Sequence, residues 1–352
     1  MPLLARMVAS PLTVDVRPGA VEGLSRLLAD GGISSGGKVV VLVGPGQGEE
    51  IAQVLEPRLV NATVLPVRSA SIEHARELAA TLRESSYDAV VGIGGGRSLD
   101  VAKYVATLVA LPMVAVATNL SHDGIASPVA SLEYDGRKGS YGVHIPLAVF
   151  VDLDYVRRAP VQMVRSGVGD VVSNLSALSD WRLAETERGE PVDGLAAALA
   201  RMSAEAVLYR TDTVDSTDFL TTLSEALVLS GLAMAVAGSS RPCSGGDHEI
   251  LHAVDQLFPG VSNHGELAGV GALFCAFLRQ DDTQLAAIDA CLRRHVLPRL
   301  PADIGLSAEQ FATAVAVAPT TRPDRYTILE HLDLDAAQIG SRVDGFIAAL
   351  SS

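Results

Sequence analysis

The sequence predicts a parallel α/β domain followed by an all-helical domain. From residue 12 to about 155, short β-branched runs alternate with segments of helical spacing, the pattern of a parallel sheet covered by helices on both faces. After Leu153 the strand signals stop, and long Ala/Leu-rich helical segments take over. A chain of 352 residues, 48% of them hydrophobic, can build a core in each of two such domains.

Six runs read as strands: LTVDV (12–16), KVVVLVG (38–44), ATVLPV (62–67), YDAVVGIGG (87–95), PMVAVAT (112–118) and LAVFVDL (147–153). Between them Ala20 to Leu28, Glu49 to Leu55, Ile72 to Arg83 and Ser98 to Leu111 carry apolar residues at helical spacing. In the second half Leu195 to Tyr209, Ser216 to Ala237, Glu266 to Leu278 and Asp282 to Val296 do the same, with Pro298, Pro301, Pro319 and Pro323 as punctuation. The boundary falls between 155 and 160, which gives domains over 1–157 and 158–352.

Composition narrows the function. A formal net charge of -14, with only three lysines, speaks against a nucleic-acid or anionic-membrane partner. Cys243, Cys275 and Cys291 lie far apart without C-x-x-C spacing, so they read as buried thiols of a reducing cytoplasm. The start, MPLLARMVASPLTVDV, lacks the charged and apolar regions of a signal peptide, which also leads to the expectation of a cytoplasmic protein. The most apolar runs, Val105 to Ala117 and Ala226 to Gly238, are interrupted by Pro112 and by Ser230 and Gly231. They read as core elements too short to span a membrane.

Two glycine clusters follow strands: GPGQG at 44–48 and GIGGGRSLD at 92–100. GPGQG reads first as a tight strand-to-helix turn. GGGRSLD has more glycine than a turn needs, and its Ser98 can cap the helix that follows, so pyrophosphate binding in a Rossmann-like domain is the favoured reading. No acidic residue ends an early strand where a ribose would be held, so NAD and NADP both remain open.

Residues 244–252 read SGGDHEILH and contain the H-E-x-x-H pattern of zinc proteases. The longer protease pattern wants glycine at 255 and histidine at 258, where Asp255 and Phe258 stand. On a helix His248 and His252 share one face, and His264 follows in NHGEL, so this group points to metal binding or catalysis. By contrast His74, His144, His295 and His331 read as satisfied core or surface residues. Asp170, in SGVGDVVSNLSALSDW (166–181), is placed in the first turn of a helix after glycines, either as a cap or as a hard oxygen ligand completing an Asp/His/His set. NLSHDGIASPVASL (119–132) is a polar turn at the end of PMVAVAT, where ligands gather in parallel sheets.

These stretches together resemble the sn-glycerol-1-phosphate dehydrogenase family, within the superfamily of iron-containing alcohol dehydrogenases, glycerol dehydrogenase and dehydroquinate synthase. The likeness spans nearly the whole chain. It is carried by GGGRSLDVAKYVA (94–106), TNLSHDGIASPVAS (118–131), SGVGDVVSNLSALSDW, SSRPCSGGDHEILHAVD (239–255), HGELAGVGAL (264–273) and RPDRYTILEHL (322–332). It implies a dehydroquinate synthase-like fold, with a dinucleotide-binding domain followed by a helical domain that holds metal and substrate.

The resemblance further implies metal ligation by Asp170, His248 and His264, with zinc as the usual ion and nickel or iron as alternatives. Substrate contacts would come from Asp123, Asp170 and His252, with His252 and Asp123 as the catalytic residues. NAD or NADP would be held by Gly95, Gly96, Arg97, Ser98, Leu99, Asp100, Thr118, Asn119, Leu120, Ser121 and Ser127. Small departures from the family pattern stand at Gly246, Asp247 and Leu120. Arg241, seven residues before His248, is a candidate for a substrate phosphate because its guanidinium forks; a structural ion pair is the competing reading.

The reading is therefore a metal-dependent NAD(P)-linked oxidoreductase that interconverts dihydroxyacetone phosphate and sn-glycerol 1-phosphate. Reduction of another polyol, aldehyde or phosphonate is the alternative, followed by a sugar-phosphate cyclase and then a protease. The expected partners are a small phosphorylated substrate and further copies of the chain, with neither nucleic acid nor membrane insertion.

Overall fold

The computed structural model describes residues 11–34, 36–59 and 61–351, so the stretch MPLLARMVAS, which carries most of the leader argument, lies outside the described residues. Two compact units make up the chain, Met1–Pro160 and Val161–Ser352.

In the first unit, all six predicted strands join one parallel sheet: β1 Thr13–Arg17, β2 Val39–Val43, β3 Thr63–Pro66, β4 Ala89–Gly94, β5 Met113–Ala117 and, after a hairpin, β8 Ala148–Asp152. Their order is β1-β8-β5-β4-β2-β3. Strands β2, β4, β5 and β8 are buried along their whole length, which is why they read as continuous apolar runs. Helices α1 Leu24–Asp30, α2 Gln47–Leu55, α3 Ile72–Arg83, α4 Gly96–Val109 and α5 Leu153–Arg158 complete the unit.

The chain winds outward in both directions from β2 and β4. Register pairs Leu42 with Gly92 and Val43 with Ile93, and the Gly44 N–H donates to the Ile93 carbonyl at 2.8 Å. Both glycine clusters thus leave the carboxyl ends of neighbouring strands at the switch point, where open α/β sheets bind ligands. The segment after β5 joins them, with the Thr118 N–H donating to the Gly94 carbonyl at 3.0 Å.

Sequence reasoning missed a hairpin. Strands β6 Val129–Tyr134 and β7 Arg137–Gly142 pair antiparallel, so the polar turn ends before Val129. Asp135 and Gly136 turn it with φ of 51° and 72°, a pair of positive values that favours this dipeptide.

The second unit is helical: α6 Val161–Arg188, α7 Gly194–Leu208, α8 Thr217–Ala237, α9 Gly246–Leu257, α10 His264–Arg279, α11 Asp282–Arg294, α12 Ala308–Val317, α13 Ile328–Leu332 and α14 Ala336–Ser351. Rings from α10, α12 and α14 meet edge to face in its core, Phe274 lying 5.4 Å from Phe311 and 5.3 Å from Phe346. Ser230 and Gly231 do not interrupt α8, which matches the Ser216 to Ala237 segment of the sequence; what the structure corrects is the reading of this apolar stretch as too short to span a membrane. The helix is 21 residues long and apolar enough to cross a membrane by length and composition, yet 67% of its most apolar window is buried inside the unit. Ser230 accepts a hydrogen bond from Asn174 at 3.1 Å, so its hydroxyl is satisfied within the helical core.

Candidate functional site

The site in the second unit is built from α6, α9 and α10. Gly167 and Gly169 do not begin a helix, as the sequence had suggested; they lie inside α6, which starts at Val161, and Asp170 is well within it. The use of Gly169 is close packing. A Cβ on Gly169 would stand 2.1 Å from the Gly265 carbonyl oxygen, and one on Gly265 would stand 1.7 Å from that of Ser166. Only glycine at both positions lets α6 and the start of α10 touch backbone to backbone, and this contact brings Asp170 to His264.

His264 opens α10 behind a capping box in which Asn263 and Glu266 serve each other. His248 lies in the first turn of α9 and is buried. Asp170 Oδ1 is 3.5 Å from His264 Nε2 and 3.9 Å from His248 Nε2, and one ligand atom from each of the three residues falls within 4.8 Å of the others. Bonds of about 2.0 Å to a tetrahedral ion require ligand edges of about 3.3 Å, so a slight contraction of this N₂O set closes it around a divalent cation.

A further residue fixes the imidazole. Asp247 Oδ2 lies 2.5 Å from His248 Nδ1, so a proton on Nδ1 is held by the carboxylate and the Nε2 lone pair faces the other two ligands. Asp247 is fully buried. The sequence showed it only as a departure from a family pattern.

His252, one turn beyond His248, is half-buried, and its ring centroid lies 6.4 Å from that of His248. Its Nε2 is 2.9 Å from Nη2 of Arg322, a cation that can only donate, so Nε2 is the acceptor and the ring proton sits on Nδ1. Burial first, then the Arg322 charge, holds the imidazole well below its ordinary range and therefore neutral near pH 7.

Glu249, the residue that made HEILH look proteolytic, is fully buried and turned toward Thr327, whose hydroxyl donates to its Oε2 at 3.0 Å. Burial, reinforced by Glu330, pushes its carboxyl up to about 9. A protonated acid engaged there does not serve as a protease's general base.

Arg241 takes the structural role. Its Nε and Nη2 fork onto Glu190 at 2.7 and 2.6 Å, and Nη2 also donates to the Tyr326 carbonyl at 3.0 Å. The proposed phosphate fork is thus occupied by a carboxylate that lies far away in the sequence. Instead, the turn after α12 supplies Arg322 and Arg325, which sequence reasoning quoted within a motif without giving them a task.

In the first unit the glycine loop opens α4 with Gly95 at its N-cap, and Gly96 and Arg97 follow in a first turn whose N–H groups have no helical acceptor. Ser98 does not cap. It is buried beneath Gly44, where any Cβ would come within 2.2 Å of its hydroxyl. Leu99 and Leu120 are fully buried, and Arg97 is exposed. Asp100 pairs with buried Lys103 at 2.9 Å and accepts from the Ser131 N–H at 3.0 Å. Ser127 Oγ donates to the Val129 carbonyl at 3.2 Å. Asp100, through Ser131, and Lys103, through the Val129 carbonyl, therefore tie the hairpin to α4, whereas the Ser127 bond is local.

Asn119 and Ser121 are half-buried beside the loop, and a Cβ on Gly95 would strike the Asn119 amide at 2.5 Å. Asp123 begins a short 3₁₀ turn. His122, passed over in the sequence, lies so close to Gly96 that a Cβ there would meet its Nε2 at 2.1 Å. The signal was available: a histidine in a polar turn at the carboxyl end of a strand.

A protein named glycerol-1-phosphate dehydrogenase [NAD(P)+], from Hyperthermus butylicus, is 36% identical over 346 residues, covering 96% of this chain and 98% of that protein. The chain belongs to the glycerol-1-phosphate dehydrogenase family. A relative of the same name from Archaeoglobus fulgidus is 39% identical over 75% of the chain and 77% of its own length. The family model described as iron-containing alcohol dehydrogenase matches residues 15–160, the part of this glycerol-1-phosphate dehydrogenase family member that carries the sheet. Among solved structures, a probable glycerol dehydrogenase from Sinorhizobium meliloti 1021 shares the fold, with a TM-score of 0.78 at 22% identity and 99% of both chains covered.

Proposed function

We propose that this chain interconverts dihydroxyacetone phosphate and sn-glycerol 1-phosphate, using NADH or NADPH and a divalent cation held by Asp170, His248 and His264. The observation that carries the proposal is the convergence of Asp170 Oδ1 and two histidine Nε2 atoms on one point. In reduction, a hydride passes from the nicotinamide to the ketone carbon and a proton reaches the ketone oxygen, leaving NAD(P)⁺ and the secondary alcohol. Bound in this set, a divalent cation supplies a Lewis acid that polarises the carbonyl and stabilises charge on its oxygen.

The residues do the remaining work. Asp170, His248 and His264 would hold the ion with room left for substrate, and Asp247 keeps His248 in the tautomer that would serve it. His252, neutral and fixed by Arg322, presents its Nδ1–H as a hydrogen-bond donor toward the substrate oxygen, and the proton consumed in reduction comes from solvent. In the first unit, the N–H groups of Gly96 and Arg97 and the turn from Thr118 to Asp123 hold the cofactor, at the switch point where a pyrophosphate is favoured. Asp123 completes the substrate contacts. Zinc is the proposed ion, because an N₂O set with an open position is its usual catalytic arrangement. The three buried, unbridged cysteines fit a reducing cytoplasm, and self-association is proposed alongside.

Spectrophotometric oxidation of NADH and NADPH is the test, with dihydroxyacetone phosphate, dihydroxyacetone and simple aldehydes as acceptors. The phosphate ester is expected to be turned over at the highest kcat/KM. No turnover of it overturns the assignment.

A further inference from the structure

The buried and half-buried arginines of the second unit differ in what answers their charge. Arg241 forks onto Glu190, Arg279 reaches Asp180 at 2.7 Å, and Arg299 reaches Asp289 at 2.5 Å. Arg325 instead makes all its hydrogen bonds to neutral oxygens: Nη1 donates to the carbonyl and, at 3.0 Å, to the hydroxyl of Ser244, and Nη2 donates to the Ser240 hydroxyl at 2.9 Å. A guanidinium has five N–H donors, so Nε–H and one Nη2–H of Arg325 meet no protein acceptor among the described residues.

The acidic groups that act on Arg325 from a distance are committed elsewhere, Asp247 to His248 Nδ1 and the protonated Glu249 to the Thr327 hydroxyl. The largest charge effect on it comes from another cation, Arg322. Burial, followed by the charges of Arg322 and Arg241, pushes Arg325 down to about 10. A half-buried guanidinium that keeps spare donors and feels a second cation favours an anion set against it.

Position says which anion. Arg322 touches His252, His252 lies one helical turn from the ligand His248, and Ser244 leads directly into α9. Both guanidinium groups therefore stand beside the helix that presents the reacting end of the site. We propose that Arg322 and Arg325 form its anion subsite, taking the phosphoryl group of a short phosphorylated ketone and setting the preference for it over the unphosphorylated ketone. The inference deepens the function proposed above and rests on its view that the substrate carries a phosphate. Arg241, the sequence candidate, is relieved of that task by Glu190.

The test compares wild type with Arg325→Gln, Arg325→Lys and Arg322→Gln in the metal-loaded enzyme. Two quantities are read: the ratio of kcat/KM for dihydroxyacetone phosphate to that for dihydroxyacetone, and the affinity for inorganic phosphate by calorimetric titration. Loss of a charge-assisted hydrogen bond predicts that Arg325→Gln lowers the ratio roughly 10- to 100-fold, chiefly through KM for the phosphate ester. Arg325→Lys should recover part of the loss, and phosphate should bind about tenfold more weakly to Arg325→Gln.

A fall in activity that is equal for both ketones, with the ratio unchanged, means that Arg325 only pins the Ser240–Ser244 loop and overturns the proposal. If Arg325→Gln does not fold, the lysine variant and Arg322→Gln give the same reading. A wild type that reduces neither ketone defeats the proposed function but not the subsite. The phosphate titration then decides: binding weakened in Arg325→Gln upholds the subsite, and unaltered binding rejects it.

Discussion

The two units bury charge for different reasons. In the sheet unit, each buried ionic group serves the backbone or a neighbour beside it: Asp152 accepts from the N–H groups of Gly19, Val21 and Asp154, and Asp100 pairs with Lys103 while holding Ser131. In the helical unit Asp180, Arg279, Arg241 and Glu190 do the same. Asp170, His248 and His264 do not fit that pattern, because one ligand atom from each falls within 4.8 Å of the others, the spacing of a cation site. Charge buried against its complement reads as architecture. Acceptors gathered against one another read as a place for a cation.

Breaking an architectural pair tests this contrast with the largest effect on stability. Lys103→Met strands Asp100 inside the sheet unit and should cost about 3–5 kcal/mol in chemical denaturation, while the folded protein keeps its full metal content. A Lys103→Met protein that lost metal without losing stability would erase the distinction between the units.

Asp247→Asn should act the other way. Weakening the hold on His248 predicts a roughly 10- to 100-fold loss of metal affinity, read by competition with a chelator, with little change in unfolding midpoint of the metal-free protein. An affinity equal to wild type would show that the short contact with Nδ1 does not orient the ligand.

The smallest effect is a pH dependence. His295 is buried with its ring centroid 4.8 Å from that of Phe219, and burial, then the Arg294 charge, holds it below its ordinary range. Its folded pKa is lowered, so the unfolded chain binds the proton first as pH falls, and stability declines below about pH 6.5. Thermal midpoints measured across that window should fall less steeply for His295→Gln than for wild type.

The sheet was legible because each strand is a buried, β-branched run closed by turn residues. The hairpin was not, since β7, RKGSYG, is polar and largely solvent-facing, although Asp135-Gly136 marked its turn. In the site, the histidines and Asp170 were visible as residue types. Their grouping was not fixed by spacing: on α9 alone His248 and His252 share a face, and only the glycine contact between Gly169 and Gly265 places His264 beside Asp170. The same limit governs the arginines. Arg241 stands close to His248 in sequence but finds Glu190 51 residues upstream, whereas Arg322 reaches His252 from 70 residues downstream.

The central claim is that the Asp170, His248 and His264 set holds the cation that carbonyl reduction requires. Its most direct test follows bound metal and NAD(P)H-dependent turnover of dihydroxyacetone phosphate together as the cation is withdrawn and restored. Turnover should fall in step with bound metal to below ~10⁻³ of its starting value and return on addition of zinc or nickel, with Asp170→Asn failing to recover. Undiminished turnover by protein verified to be free of metal would contradict it.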